Sequence, residues 1–448
     1  MPAKGADGGT VTPIKHIVIA MMENHSFDNI FGLYPMTNQS AQESLANTLQ
    51  KPDDVLNVPS EVSLGQVPKG TYATADPAEG VYAADWDNGK MDGFASNGGS
   101  PAMAYYGSSQ LAVEWDWAEE YAIADRYFSS CLCMTNPNRL FSLTGYGAGL
   151  TDDSGPPPYI PVSQSIFAEL SGYGVSWGYY INEPSANAFP LYYLDGIGTY
   201  SSEIQGFDSF YGALQQGTLP AVSWVMPIGG NAPPEISQHP SDNMTVGEAW
   251  LLGVVDGVMQ SSYWNSSAIF VTYDEGGGYY DHVPPPIVDG VQLGFRVPFW
   301  VISPYAKENY VSQTVMNHAS SLAFIDYNWR LPALNSYVAS SGLPLDMFDF
   351  NQSYQNQFLV RAPVMLQIDS SYPISLQIPI DSLPYQRTGS SPATLSSMGE
   401  SVYNASNSPI TPGFQSLPFV ALAAVGLLAA GYYVARRSPK PSEQAQRE

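Results

Sequence analysis

Residues 267 to 286, SAIFVTYDEGGGYYDHVPPP, concentrate side chains that can do chemistry. Two adjacent carboxylates, Asp274 and Glu275, end an apolar run and open a loop of three glycines, Asp281, His282 and a proline run. Adjacent anions repel, and a bound cation is the simplest way to remove that repulsion; a solvated acidic turn is the bland alternative. A second apolar run, Ile17 to Met22, is followed at once by Glu23 and Asn24. These two either share the same cation as hard oxygen donors or cap the next helix. In TNPNRLFSLTG, Thr135 stands at or just before a helix start signalled by Pro137, where backbone N–H groups and the positive dipole end face outward. A threonine there is an N-cap or a nucleophile, and Arg139 can pair with a carboxylate or a phosphate oxygen.

Such residues need rigid elements beneath them. Ala268 to Tyr273 is rich in β-branched and aromatic residues and reads as a buried strand. Ile17 to Met22, Val175 to Ile181, Ala221 to Met226 and Val297 to Tyr305 read the same way. Leu111 to Phe128 is helical in composition with one apolar face. Thr245 three residues before Glu248 is a capping-box pattern, which makes Glu248 structural. His239 and Asp242 lie in a long loop, and His318 directly precedes a helix. Strands alternate with helices over residues 14 to 335, which predicts an α/β domain with a mainly parallel sheet. Sheets of that kind place their sites at strand carboxyl ends, where Glu23 and Asp274 fall.

Charged residues make up 13% of the 448 residues, and 41 acidic against 16 basic ones leave a net charge of −25. That balance excludes nucleic acid and anionic lipid surfaces as electrostatic partners. It suits an extracytoplasmic protein facing acid. Cys131 and Cys133 form a C-x-C pair, too tight for a relaxed disulfide and too few for structural zinc, so two buried thiols are expected.

Residues 1 to 13 do not read as a signal peptide. The main domain spans residues 1 to 362, and 363 to 386 form a short β-rich segment in which Ile374, Leu376, Ile378 and Ile380 alternate. Residues 387 to 415 are a Ser/Thr/Pro-rich linker, 416 to 435 a transmembrane helix, and 436 to 448 a basic cytoplasmic tail. Leu417 to Val434 is apolar and uncharged, just long enough to span hydrocarbon, with Tyr432, Tyr433, Arg436 and Arg437 at one end. That flank predicts membrane anchoring with the main domain outside.

Seven pieces, IKHIVIAMMENHSFDNIFG, NGKMDGF, AEEYAIADRYF, TNPNRLFSLTG, HPSDNMTVGEAW, VTYDEGGGYYDHVPPP and GFRVPFWVISPYA, occur in order across residues 14 to about 350. Together they resemble the phosphoesterase family of bacterial and archaeal phosphatidylcholine-type phospholipases C and acid phosphatases. The resemblance implies an alkaline-phosphatase-like α/β sandwich with a mainly parallel central sheet. It implies a metal-dependent phosphoester hydrolase working through a phosphothreonine intermediate, first a cell-surface acid phosphatase on monoesters. The alternatives are a phospholipase C on phosphatidylcholine-type diesters, a sulfate ester hydrolase, and a non-catalytic membrane-anchored protein on the same scaffold. By resemblance, Glu23, Asn24, Asp274 and Glu275 would bind one divalent or trivalent metal ion, and Thr135 would attack phosphorus. His239 and His282 would hold phosphoryl oxygens or protonate the leaving group. Asn138, Arg139 and Asp281 would contact substrate, with His318 behind them. The family usually has Arg where this chain has His25, and often a His upstream of NGKMDGF where this chain reads AADWDNGKMDGF, so either Asp85 or Asp87 would substitute or the substrate would differ.

Overall fold

The apolar runs become strands because both of their faces are buried. Eight of them form one sheet: β1 (His16–Met22), β2 (Ala122–Ala124), β3 (Trp177–Ile181), β4 (Ile204–Gln205), β5 (Val222–Met226), β6 (Ser267–Tyr273), β7 (Phe299–Ile302) and β8 (Tyr310–Ser312). Their spatial order is β8-β2-β7-β6-β1-β5-β3-β4. Only β7 runs against its neighbours, so the sheet is mainly parallel, as the alternating pattern predicted. This computed structural model describes residues 9–32, 80–107, 111–153, 159–182, 184–185, 188–227, 236–240, 242 and 244–352.

A sheet buried on both faces needs a cover on each. The helices supply it in two mutually packed groups. One joins α3 (Thr135–Thr144) with α4 (Ile166–Tyr173) and α7 (Ala319–Trp329). The other joins α2 (Ala112–Glu120) with α5 (Phe207–Gln216) and α6 (Met244–Met259). The short α1 (Phe27–Phe31) follows β1, with Ser26 as its N-cap accepting from Asn29 N. Residues 80–103 dock through Tyr82, Met91, Phe94, Ala102 and Met103 onto Tyr280 and Phe295.

Several expectations are corrected. Leu111 to Phe128 is not one helix: it turns at Tyr121 and continues as β2 and the Tyr127–Phe128 strand, because β-sheet pairing with β7 outweighs helical composition. α6 begins at Met244, and Glu248 Oε1 accepts from Val113 N of α2 at 2.8 Å. Cys131 and Cys133 are bonded to one another with Cα atoms 5.2 Å apart, a separation a disulfide spans. The β-rich segment, linker, transmembrane helix and tail, residues 363 to 448, lie outside the described residues. Among the described residues no helix is long and apolar enough to cross a membrane.

Helices α4 and α7 are clamped by two acids, Glu169 and Asp326. Burial first, then the charge and hydrogen bond of Asp326, raises the Glu169 carboxyl to about 8; burial raises Asp326 to about 7. Folded-state values above the unfolded ones add stability at acid pH that is lost as pH rises toward 8. The melting temperature of the wild-type protein should therefore fall between pH of about 5 and about 8. In Glu169→Gln that fall should be smaller by roughly 2–4 °C, as read by scanning calorimetry across the range.

Candidate active site

The pairing of β1 with β6 sets the site. The strands run parallel in register from His16 opposite Ser267 to Met22 opposite Tyr273. The next residues, Glu23 and Asp274, therefore emerge side by side, and Asp274 N donates to Met22 O at 3.2 Å. Asn24 then turns back in the left-handed region, φ 65°, and its N–H donates to Asp274 Oδ1 at 3.0 Å; Glu275 N donates to the same oxygen at 2.8 Å. Gly277, φ 64°, lies so close that a Cβ there would sit 2.1 Å from Asn24 O. Its N–H donates to Glu275 Oε2 at 2.5 Å.

Helix α3 closes the site from above. Thr135 is its first residue, and Met134 holds the N-cap position without a side-chain cap bond, so the threonine is not a cap. Its hydroxyl donates to Asn24 Oδ1 at 3.4 Å. Arg139, one turn on and so on the same helix face, reaches between the strand ends. Nε donates to Asp274 Oδ2 at 2.9 Å, and Nη2 to Glu23 Oε1 at 3.1 Å, with the guanidinium 2% exposed. Asn138 is spent on the incoming loop: Nδ2 donates to Cys133 O at 2.8 Å and Oδ1 accepts from Cys131 N at 3.1 Å. The structure thus brings Glu23, Asn24, Thr135, Asp274 and Glu275 together. It gives the expected substrate contacts Asn138 and Arg139 protein partners instead.

The electrostatics favour a cation. Burial, then the neighbouring Asp274, raises the Glu275 carboxyl to about 8. Tyr82 hydrogen-bonds Glu275 and is itself pushed up by burial and that charge. Asp153 accepts from Asn136 N at 2.7 Å at the start of α3, and burial holds its carboxyl up near about 6 with Asp274 adding to the rise. One guanidinium therefore faces Glu23, Asp274 and Asp153, while Glu275 adds a further carboxyl beside Asp274. The expected ligands do not form a ready cage: among the described residues no group of three or more His, Cys, Asp or Glu is gathered around one point. Arg139 between Glu23 and Asp274 is the reason. The donor set of carboxylate, amide and hydroxyl oxygens with surplus negative charge still fits a hard cation.

A second guanidinium organises the histidine. Arg296, 0% exposed, donates to Asp281 Oδ1 at 3.0 Å, Asp125 Oδ1 at 2.8 Å and Asp28 Oδ1 at 2.8 Å. Asp281, expected to contact substrate, is thus a structural partner of Arg296. Asp28 Oδ2 accepts from His282 N at 2.9 Å and from its Nδ1 at 2.5 Å. Burial alone would raise Asp28, but the charges of His282 and Arg296 hold it well below the usual carboxylate range. An anionic Asp28 fixes the proton on Nδ1 and leaves proton transfer to Nε2. His239 is half-buried in the loop that abuts Glu23, whose N–H donates to Ser237 O at 3.0 Å.

The remaining candidates are structural. His318 Nε2 lies 3.0 Å from Tyr273 O and steadies the end of β6. His25 is bonded to Asn29 and to Gln238 O at 2.8 Å, stacks on Tyr279, and is lowered by burial to about 4. Asp87 pairs with Lys90 at the surface, and Asp85 accepts from Asn97 at 2.7 Å through Oδ1, its buried Oδ2 having no partner among the described residues. Sequence reasoning missed Asp28, Asp125, Arg296, Tyr82 and Asp153. Asp28 and Arg296 sat inside the quoted HSFDNIFG and GFRVPFW; nothing local marked Tyr82 or Asp153.

The phosphoesterase family matches residues 14–332, which contain every residue of this constellation. The chain belongs to that family. Among its relatives, non-specific phospholipase C4 of Arabidopsis thaliana is 30% identical over 69% of this chain and 64% of its own length. Non-hemolytic phospholipase C of Burkholderia pseudomallei is 28% identical over 71% and 55%. Phospholipase C A of Mycobacterium tuberculosis is 28% identical over 76% and 77%. This phosphoesterase thus spans less than two thirds of the first two. A crystal structure of a protein in the alkaline phosphatase superfamily from Vibrio parahaemolyticus, 12% identical over 74% of this chain and 69% of that one, gives a TM-score of 0.35, too slight a likeness to argue from.

Two outcomes follow from the geometry. Arg139→Met should leave two buried carboxylates uncompensated and lower stability by about 3–5 kcal/mol, measured by denaturant unfolding in chelator. Gly277→Ala should displace Asn24 and, where the phosphoesterase turns over a substrate, reduce turnover by about 100-fold with the circular dichroism spectrum unchanged.

Proposed function

We propose that this protein hydrolyses phosphoric esters with Thr135 as nucleophile, on an alkaline-phosphatase-like sandwich. The observation that carries the reading is the junction of the in-register β1 and β6 ends with the first residue of α3, where the Thr135 hydroxyl meets Asn24. Glu23, Asn24, Asp274 and Glu275 would hold the metal ion. When bound, that ion supplies activation of the threonine hydroxyl and neutralises phosphoryl charge. Thr135 Oγ gives up its proton to solvent and attacks phosphorus in line; the Oγ–P bond forms as the bond to the leaving oxygen breaks. His282 Nε2, oriented by Asp28, gives that oxygen its proton. Water then cleaves the phosphothreonine: its oxygen bonds phosphorus as the Oγ–P bond breaks, the proton lost by water returns to the histidine, and Thr135 Oγ takes back a proton from solvent. The positive end of the α3 dipole, at Thr135, stabilises the charge on the equatorial oxygens.

The relatives' names favour a phospholipase C acting on diesters; the acid-facing composition favours an acid phosphatase on monoesters. Residues 416 to 435 are read as the anchor that holds the domain at the outer face of a membrane.

The test is hydrolysis of p-nitrophenyl phosphate and p-nitrophenylphosphorylcholine side by side, with and without chelator. Turnover that chelator abolishes and Thr135→Ala lowers by about 10⁴-fold or more supports the assignment. Preference for the choline ester selects the diester reading, and a fully active Thr135→Ala protein removes the nucleophile.

A further inference from the structure

Behind the loop that carries His239 lies a second pair of acids. Glu114 of α2 is 0% and Glu248 of α6 is 1% exposed, and their carboxyls lie against one another. No ion pair among the described residues reaches either. Glu114 Oε1 accepts from Gln238 Nε2 at 3.0 Å, and Glu248 Oε1 from Val113 N at 2.8 Å. The other two oxygens, Glu114 Oε2 and Glu248 Oε2, are buried without a donor. An ionised carboxylate only accepts, so two can meet only when one carries a proton. The titratable groups facing the pair are the Tyr273 and Tyr106 phenols and Asp116, none of them a base that would favour a second ionisation.

The pair grips one residue of the site loop. Gln238 is fully buried in the left-handed region, φ 62°. Its Oε1 accepts from the Tyr273 hydroxyl at 2.5 Å, and its Nε2 also reaches Met244 O at 3.3 Å. Gly247 makes room for it, since a Cβ there would sit 2.3 Å from Gln238 Cγ. On one side Ser237 O takes the N–H of Glu23; on the other is His239. The grip on Gln238 therefore sets both the wall beside Glu23 and the histidine.

We propose that Glu114 and Glu248 share a single proton, and that this shared proton positions the loop Ser237–His239 against Glu23, releasing it when the second carboxyl ionises. Burial first, and for Glu248 then the charge of Glu114, raises both carboxyls above their ordinary value. The loop is held at acid pH and loosens as pH rises through the pair's titration. Only the consequence for His239 rests on the function proposed above.

A glutamine cycle separates this from plain burial of charge. In Glu114→Gln or Glu248→Gln the amide NH₂ takes the place of the shared proton and every partner stays satisfied. In the double variant each carbonyl oxygen stays on its N–H donor, and two NH₂ groups face one another. Full-length wild type, both singles and the double are compared by melting temperature and by hydrogen-exchange protection of residues 236–240 across pH. The singles are expected to melt with the wild type at acid pH and to keep loop protection as pH rises. Wild-type protection should fall by roughly tenfold per pH unit above the titration, after correction for intrinsic exchange. The double variant should melt below the wild type at every pH. Singles that keep the wild-type pH dependence, singles that fail to fold, or a double as stable as the singles would each overturn the proposal. None of these readouts needs turnover, so an inactive protein that shows the pattern removes the hydrolase reading and leaves the pair standing.

Discussion

One buried guanidinium makes the rest of the site possible. Parallel strands in register deliver Glu23 and Asp274 to the same place, and two carboxylates in a dry crevice repel strongly at low dielectric. Arg139 resolves this by donating to both. Because Thr135 and Arg139 lie one turn apart on a single helix face, the contact that neutralises the strand ends also brings the hydroxyl to Asn24. Countercharge and nucleophile are thus set by the same docking event. The helix cannot tilt without exposing two unpaired anions.

Arg296 repeats the device a short way along the chain. It gathers Asp28, Asp125 and Asp281 from separate segments, and Asp28 in turn orients His282. With 16 basic residues against 41 acidic ones, the chain places two arginines where they each hold several carboxylates. Elsewhere it uses protons for the same purpose. Glu169 with Asp326 and Glu114 with Glu248 are acid pairs without a cation, and such pairs hold only while one member is protonated.

The expected and observed elements part company where long-range pairing decides. Leu111 to Phe128 has helical composition, yet its second half completes the sheet beside β7, because strand partners distant in sequence bury Ile123 and Ala124 better than a longer helix would. The resemblance made Asp281 and Arg139 substrate contacts, while the local reading of Arg139 also allowed a carboxylate partner. Each is consumed by a partner of opposite charge that no local window contains.

What the sequence determined by itself is the chemistry at strand ends: two apolar runs, Ile17 to Met22 and Ala268 to Tyr273, each stopping at a carboxylate, and a Pro-marked helix start at Thr135. Those signals are local, because strand burial and helix initiation depend on neighbours in the chain. The tertiary structure alone decided which carboxylates face a guanidinium, which face each other across a proton, and that Tyr82 and Asp153 border the site. Charge pairing in a buried site depends on distances between segments far apart in sequence, and those distances exist only once the sheet has closed its register.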